Sequence, residues 1–213
     1  YVAVSASQVL ESSPQVWGAV MGSDLIPAGS FQCSEPLLNA LQSNIVWSQR
    51  GNFLEVPTDC PQRAERLGWT GDIQVFAPTA TFNYNVATFL TKWLADLRDC
   101  QISVGPERGQ FPITAPLSSG WGGGPGWADA GIVVAWTLYE RYGDIRVLEE
   151  MWSPLLHWWD YLERAADGWA PEAWQGFGDW LSLDFDPENL LGPDDRWGGT
   201  SLDLLAVAFH ARA

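Results

Sequence analysis

Histidine, cysteine and basic residues are scarce in this sequence. Its 213 residues include 2 His, 3 Cys and 11 Lys plus Arg, against 26 Asp plus Glu. Zinc sites draw on Cys and His at paired spacings. Cys33, Cys60 and Cys100 lack such spacing, and His157 and His210 add little, so neither a metal nor a cofactor is expected. The three cysteines read as buried free thiols. A net charge of −15 repels phosphate backbones, which argues against nucleic acid as a partner and suits a neutral substrate. No apolar run reaches the roughly 20 residues that cross a bilayer, so no membrane partner is expected. The stretch from Tyr1 to Ala19 has no basic start and no apolar core of a signal peptide. The sequence opens on Tyr and reads like an internal excerpt, so export stays unassigned between a cytoplasmic and a secreted protein. It also has no Asn-x-Ser/Thr acceptor.

Tryptophan, by contrast, is abundant: 14 Trp against 5 Tyr. An indole offers a flat apolar face and one N–H donor, which suits the C–H face of a sugar ring, and it also fills helical cores. Trp93, Trp136, Trp152, Trp158 and Trp159 sit within helical apolar patterns and are expected in the core. Trp69, Trp121, Trp127, Trp174, Trp180 and Trp197 lie among Gly, Pro and Asp. Loop positions of that kind are the better binding candidates.

Residues 1–30 differ from the rest. Tyr1 to Ser5 alternates like a strand, Val16 to Met21 reads as another, and Pro14, Pro27 and Gly29 punctuate them. From Ser34 onward the pattern is helical. Pro36 opens a helix with Leu37, Leu38, Leu41 and Ile45 on one face. Phe89, Leu90, Trp93, Leu94 and Leu97 form a second stripe. The segment from Asp129 to Tyr142 is apolar nearly all round, as a helix buried on most sides would be. Gly143 ends it and Asp144 caps the next, which Pro154 is expected to kink or break. A last helix opens at Ser201. Two long loops, Gly105 to Gly126 and Gly168 to Gly199, are rich in Gly, Pro, Trp and Asp, and loops of that length usually carry function. The pattern suggests a helical barrel with a site at one end.

The densest polar run is Pro57 to Asp72, with Asp59, Arg63, Glu65, Arg66, Trp69 and Asp72. Glycoside hydrolysis uses one carboxylic acid to protonate the leaving oxygen and a second carboxylate to activate water or attack the sugar. An apolar wall such as Trp69 would favour the protonated acid, and adjacent arginines would oppose it. On pattern alone the same charges also read as an ion-pair network pinning a loop, with Arg63 and Arg66 orienting the carboxylates.

The run Asp59-Cys60-Pro61-Gln62-Arg63-Ala64-Glu65-Arg66-Leu67-Gly68-Trp69-Thr70-Gly71-Asp72 closely resembles the signature of bacterial α-L-rhamnosidases, inverting enzymes of glycoside hydrolase family 78. The likeness continues, in family order, through Lys92 to Leu97, Gly126 to Ala130, Leu138 to Asp144 and Gly178 to Leu181. It implies a mainly α fold. Residues 31–213 would be the N-terminal half of an (α/α)6 barrel, and residues 1–30 the end of a β-sandwich domain or a lead-in. It further implies hydrolysis of terminal α-L-rhamnose from rhamnosides or rhamnosylated glycans, with Glu65 as general acid. Asp59 and Asp72 would hold sugar hydroxyls or support the acid, and Arg63 joins this substrate-binding set. Trp69, Trp127 and Trp180 would line the pocket for the deoxy sugar's methyl group, and Asp129 and Asp179 border it.

Two departures qualify the match. Ala64 stands where the family commonly has an acidic residue. The family's general base is a glutamate in a later Trp-Glu motif, and Glu188, in an Asp-Pro-Glu-Asn run, does not match it. The chain is therefore expected to be a fragment, with its base beyond Ala213. Two alternatives remain: a sugar-binding fragment that cuts no bond, and a helical-barrel glycosidase with a different sugar specificity.

Overall fold

The computed structural model describes residues 15–116, 122–165, 177–180 and 200–212. Among these, six helices and one minimal hairpin form a mainly helical fold: α1 (Pro36–Asn52), β1 (Phe53–Leu54), β2 (Val56–Pro57), α2 (Thr70–Asn83), α3 (Ala87–Asp99), α4 (Ala130–Tyr142), α5 (Ile145–Ala165) and α6 (Leu202–Arg212). No helix among the described residues is long and apolar enough to cross a membrane.

The centre of the packing is α4, which contacts α2, α3 and α5. Its apolar perimeter explains that position: Ala130, Val133, Val134, Ala135 and Leu138 are all buried. The expected stripe of α3 is realised in full, with Phe89, Leu90, Trp93, Leu94 and Leu97 buried. Fully burying side chains of this kind contributes about 1.5–3 kcal/mol each, before ordering costs. Gly143 closes α4 in the left-handed region (φ 68°), which a residue without Cβ adopts freely, and its N–H donates to the Tyr139 carbonyl. One residue later Asp144 Oδ1 accepts from Arg146 N–H at 3.1 Å, capping α5 as expected.

Several expectations change. Pro154 does not break α5, which runs continuously from Ile145 to Ala165 with Pro154 buried. The Pro154 carbonyl accepts from Gln101 Nε2 at 2.8 Å, so packing holds this turn in place despite the missing N–H. Trp93 and Trp158 are core residues, but Trp136, Trp152 and Trp159 are exposed. The buried stripe of α5 is Val147, Met151, Pro154, Trp158, Tyr161 and Leu162. Trp152, Leu156 and Trp159 form a second stripe at spacings of four and three, on another side of the same helix.

The orientation of α1 is also reversed from the one its leucines suggest. Leu37, Leu38 and Leu41 face outward, and the helix instead turns amides inward. Gln49 Nε2 donates to the Ala80 carbonyl (3.2 Å), Asn83 Nδ2 to Gln49 Oε1 (2.8 Å), and Gln42 Nε2 to Asn83 Oδ1 (3.1 Å). A buried Asn83 without these partners would cost more than an exposed leucine.

Val16 to Met21 forms no strand. Val16, Trp17, Val20 and Met21 are exposed, and no ladder partner satisfies their backbone among the described residues. From Ser23 the backbone is tied to the helices: Ser23 N–H donates to Phe53 O (2.9 Å), Ala28 N–H to Asn83 O (3.0 Å), and Asn85 N–H to Ile26 O (2.8 Å). Tyr1 to Ser5 lies outside the described residues, as do Trp121, Trp174, Trp197 and Glu188. Cys33, Cys60 and Cys100 form no disulfide among the described residues, and all three are only half-buried.

Candidate active site

The β1–β2 hairpin delivers the chain into the loop that carries the acidic cluster. Asp59 N–H donates to the Leu67 carbonyl at 3.1 Å, closing residues 59–67 on themselves. Arg66 takes a left-handed backbone (φ 54°) and its Nε donates to the Pro61 carbonyl at 3.3 Å. Arg66 is thus a structural clamp of the loop. The exit strand is held from outside. Ala115 N–H donates to Gly68 O (3.0 Å), Thr70 N–H to Ile113 O (2.9 Å), and Thr70 Oγ1–H to the same carbonyl (2.9 Å). Trp69, between them, bridges Thr114 and precedes the first turn of α2.

Both carboxylate oxygens of Glu65 are engaged. Trp69 Nε1 donates to Oε1 at 2.8 Å, and Arg63 Nε donates to Oε2 at 2.9 Å with Nη2 at 2.5 Å. The two ends differ in exposure: the Arg63 side chain is 61% exposed and that of Glu65 27%. Charge-assisted bonds of this kind are short and directional, but water screens this one. The Glu65 carboxylate is the main reason that Arg63 holds its proton above the ordinary arginine range.

Asp59, Cys60 and Glu65 bring ligand-capable atoms within 4.8 Å of one another. The set suits a cation poorly, because Arg63 already occupies Glu65 Oε2. The Cys60 thiol is also pushed up by its hydrogen bond to Asp59 and stays protonated at neutral pH. One oxygen of Asp59, Oδ1, is buried without a protein partner.

Asp72, in the first turn of α2, joins two clefts. One, of about 430 Å³, is lined by Gln49, Asn52, Thr58, Asp59 and Phe76 as well as Asp72. The other, of about 350 Å³, is lined by Asp72, Gly126, Trp127, Asp179, Trp180 and Phe209 among others. Burial pushes the Asp72 carboxyl above its ordinary value of 3.8, and the charges of Asp59 and Glu65 push the same way, partly offset by a backbone hydrogen bond.

The 350 Å³ cleft has an aromatic wall. Trp127 lies directly over the backbone of Gly71: a Cβ there would stand 2.6–2.8 Å from three indole atoms, so only glycine lets the ring approach so closely. Phe177, which sequence reasoning did not single out, meets Trp69, Trp127 and Trp180 at centroid distances of 5.8, 4.9 and 5.5 Å. Asp179 Oδ2 accepts from Thr200 Oγ1 at 2.9 Å, linking the Gly178–Trp180 segment to the start of α6.

Of the nine candidate residues, eight are thus brought into one region: Asp59, Arg63, Glu65 and Trp69 on the closed loop, Asp72 beside them, and Trp127, Asp179 and Trp180 around the cleft. Asp129 is set apart. It is 4% exposed and accepts the Gly126 N–H at 2.8 Å, and it lines a separate cavity with Pro78, Trp136 and Arg212. Burial pushes its carboxyl up, and the nearby Trp158 indole N–H faces it without completing a geometric hydrogen bond. Its link to the cleft is the Gly126 N–H, in the loop that carries Trp127. Phe177 and Gly71 were legible only as members of the Gly-Phe-Gly and Trp-Thr-Gly runs.

Helices in series with an acidic and aromatic cleft among their connecting loops define the class of helical-barrel glycosidases. Residues 27–213 match the model of the bacterial α-L-rhamnosidase six-hairpin glycosidase domain, and the chain belongs to that family. It is 47% identical over 193 residues to an α-L-rhamnosidase of Streptomyces avermitilis, covering 90% of this chain and 18% of that protein. An α-L-rhamnosidase of Formosa agariphila is 37% identical over 222 residues, covering 100% and 22%. The crystal structure of the Streptomyces avermitilis α-L-rhamnosidase complexed with L-rhamnose superposes with a TM-score of 0.77 at 46% identity, over 91% of this chain and 17% of that one. The α-L-rhamnosidase from Dictyoglumus thermophilum gives 0.77 at 32% identity, over 92% and 20%. The chain therefore spans about a fifth of the length of these relatives.

Proposed function

We propose that this chain contributes the acid half of an α-L-rhamnosidase active site, in which Glu65 protonates the glycosidic oxygen as it leaves the rhamnosyl carbon. The observation that carries the proposal is the seating of Glu65. Its Oε1 is held by the Trp69 indole, and Trp69 is joined through Phe177 to the wall of a cleft large enough for one sugar. An indole linked to the cleft wall fixes the direction of the carboxyl it holds, which supports a positioned proton donor beside a bound sugar.

In this reading Trp69, Trp127 and Trp180 offer apolar surface to the deoxy sugar's methyl group and C–H faces. Asp72 and Asp179 accept sugar hydroxyls from the cleft floor, and Asp59, with one buried oxygen lacking a protein partner, accepts another from the adjoining cleft. Arg63 holds Glu65 in place as the carboxylate until substrate arrives; when Arg63 turns to donate to the sugar, Oε2 takes a proton from water and becomes the acid. Asp129 supports the site indirectly by fixing Gly126. Inversion needs a carboxylate base on the opposite face of the sugar, about 6.5–9.5 Å from the acid. We assign that base to a glutamate outside these 213 residues, so that the chain itself binds rhamnosides and turns them over poorly.

The test is product-resolved hydrolysis of an aryl α-L-rhamnoside by this chain and by its Glu65→Gln variant, beside L-rhamnose titration of both. Binding with little turnover is the expected result. Turnover with inversion that vanishes in Glu65→Gln would keep the acid and refute the external base. Turnover unchanged by Glu65→Gln would refute the acid, and preference for aryl glucosides or fucosides would refute the sugar assignment.

A further inference from the structure

Phe177 stands where three separately encoded tryptophans meet. Trp69 precedes α2, Trp127 lies in the turn before α4, and Trp180 follows Phe177 by three residues. The Phe177 ring is inclined to each by 69°, 54° and 63°. The pairs with Trp69 and Trp180 are edge-to-face and that with Trp127 is tilted; edge-to-face geometry is directional, because the positive edge of one ring seeks the negative face of the other. An aliphatic side chain of similar volume fills the same space but imposes no such angle.

The consequences pass outward from this ring along two routes. Through Trp69 they reach Glu65, because the indole N–H that holds Oε1 turns with its ring. Through Trp127 they reach the first turn of α2, because that indole is trapped between Phe177 on one contact and the bare backbone of Gly71 on another. Both Trp127 and Trp180 line the cleft, whereas Phe177 does not. A ring that meets three tryptophans at fixed inclinations is placed to act on their orientation.

We propose that Phe177 is the positioning residue of this site: it sets the mutual angles of Trp69, Trp127 and Trp180 and, through Trp69, the direction of the Glu65 carboxylate. The sugar-binding consequence rests on the function proposed above; the positioning itself does not.

The two can be separated in one experiment on the 213-residue chain. Indole N–H residual dipolar couplings, which report bond direction and not the ring current of a neighbour, are recorded by 1H–15N NMR for the native chain and for Phe177→Leu, Phe177→Met and Phe177→Tyr, with L-rhamnose titrated into each. Leu and Met remove the ring, and Tyr keeps it. The expected result is selective: the couplings of the Trp69, Trp127 and Trp180 indoles change in the Leu and Met variants while those of the core indoles of Trp93 and Trp158 do not. L-rhamnose affinity falls about tenfold in Leu and Met, and Tyr restores both couplings and affinity. Cleft-indole couplings that keep their native values in Phe177→Leu overturn the inference. So does loss of all dispersion in both Leu and Met with Tyr folded, which would make Phe177 a general core residue. Absence of L-rhamnose binding by the native chain refutes the proposed function, and the indole couplings then still decide the role of Phe177.

Discussion

Gly71→Ala separates two opposing physical effects at one position. Gly71 is the second residue of α2, where helix propensity alone favours alanine by up to about 1 kcal/mol. The contact geometry opposes this. The added methyl would stand 2.6 Å from Trp127 Nε1, 2.7 Å from Cε2 and 2.8 Å from Cδ1, whereas carbon contacts are comfortable near 3.5–4.0 Å. The indole must therefore retreat by roughly 1 Å, against Phe177 at a centroid distance of 4.9 Å. Overpacking of this kind costs about 1–3 kcal/mol, so the net change is a destabilisation of about 1 kcal/mol, or ~2–4 °C in Tm. The functional effect is larger, because misplacing a positioned group by about 1 Å can cost on the order of 100-fold. Thermal melts by circular dichroism and L-rhamnose titration measure the two effects. A Tm above that of the native chain, with unchanged L-rhamnose affinity, would show that Trp127 is free to move and would refute the reasoning.

The other predictions concern single residues. Trp93→Ala empties a fully buried site and should cost about 3–5 kcal/mol in stability, read by urea denaturation, whereas Trp127→Ala should keep most of the fold and lose sugar affinity. Asp129→Ala leaves the buried Gly126 N–H without its acceptor and should cost about 1–3 kcal/mol, while Asp129→Asn keeps the acceptor and recovers most of that loss. Asp72 has a raised folded-state pKa. Its stabilising contribution is therefore fully present below its ordinary value of 3.8 and is lost as pH rises through the raised value, so Asp72→Asn should raise Tm at neutral pH relative to Tm at acidic pH. An unchanged pH profile in that variant would remove Asp72 from the account.

Where residues carry one strong pattern, sequence and structure agree. The stripe from Phe89 to Leu97 became the buried face of α3, and Asp129-to-Tyr142, Gly143 and Asp144 became a buried helix, its stop and the next cap. Agreement fails where competing partners decide. α2 was not read as a helix because Thr70, Gly71, Pro78 and Thr81 are poor helix formers, and packing against α4 overrides that propensity. The leucines of α1 pointed to the wrong face because amide hydrogen bonding, invisible to an apolar count, set the rotation. Exposed Trp136, Trp152 and Trp159 show that helical spacing identifies a stripe without saying whether that stripe is covered. In the site, the motif resemblance named the acidic loop and its tryptophans. Phe177 escaped because its importance lies in joining its own segment to two distant ones, at Trp69 and Trp127, which no local spacing encodes.

The amide chain of Gln42, Gln49 and Asn83 has a consequence for how precisely the acidic loop is placed. Apolar surfaces attract without direction, so two helices joined only by them can slip past one another by a fraction of a turn at small cost. Gln42 and Gln49, two turns apart on α1, meet Asn83 at the end of α2 and admit a single alignment, because any slip breaks several bonds together. The loop from Thr58 to Trp69 hangs between these two helices like a strap between two posts. With the C-terminal parts of both helices joined by these bonds, the span that the strap must bridge is fixed before any sugar arrives. The accuracy of Glu65 is thus inherited in part from three amides that do not touch the acid, one of which, Gln49, lines the cleft of about 430 Å³.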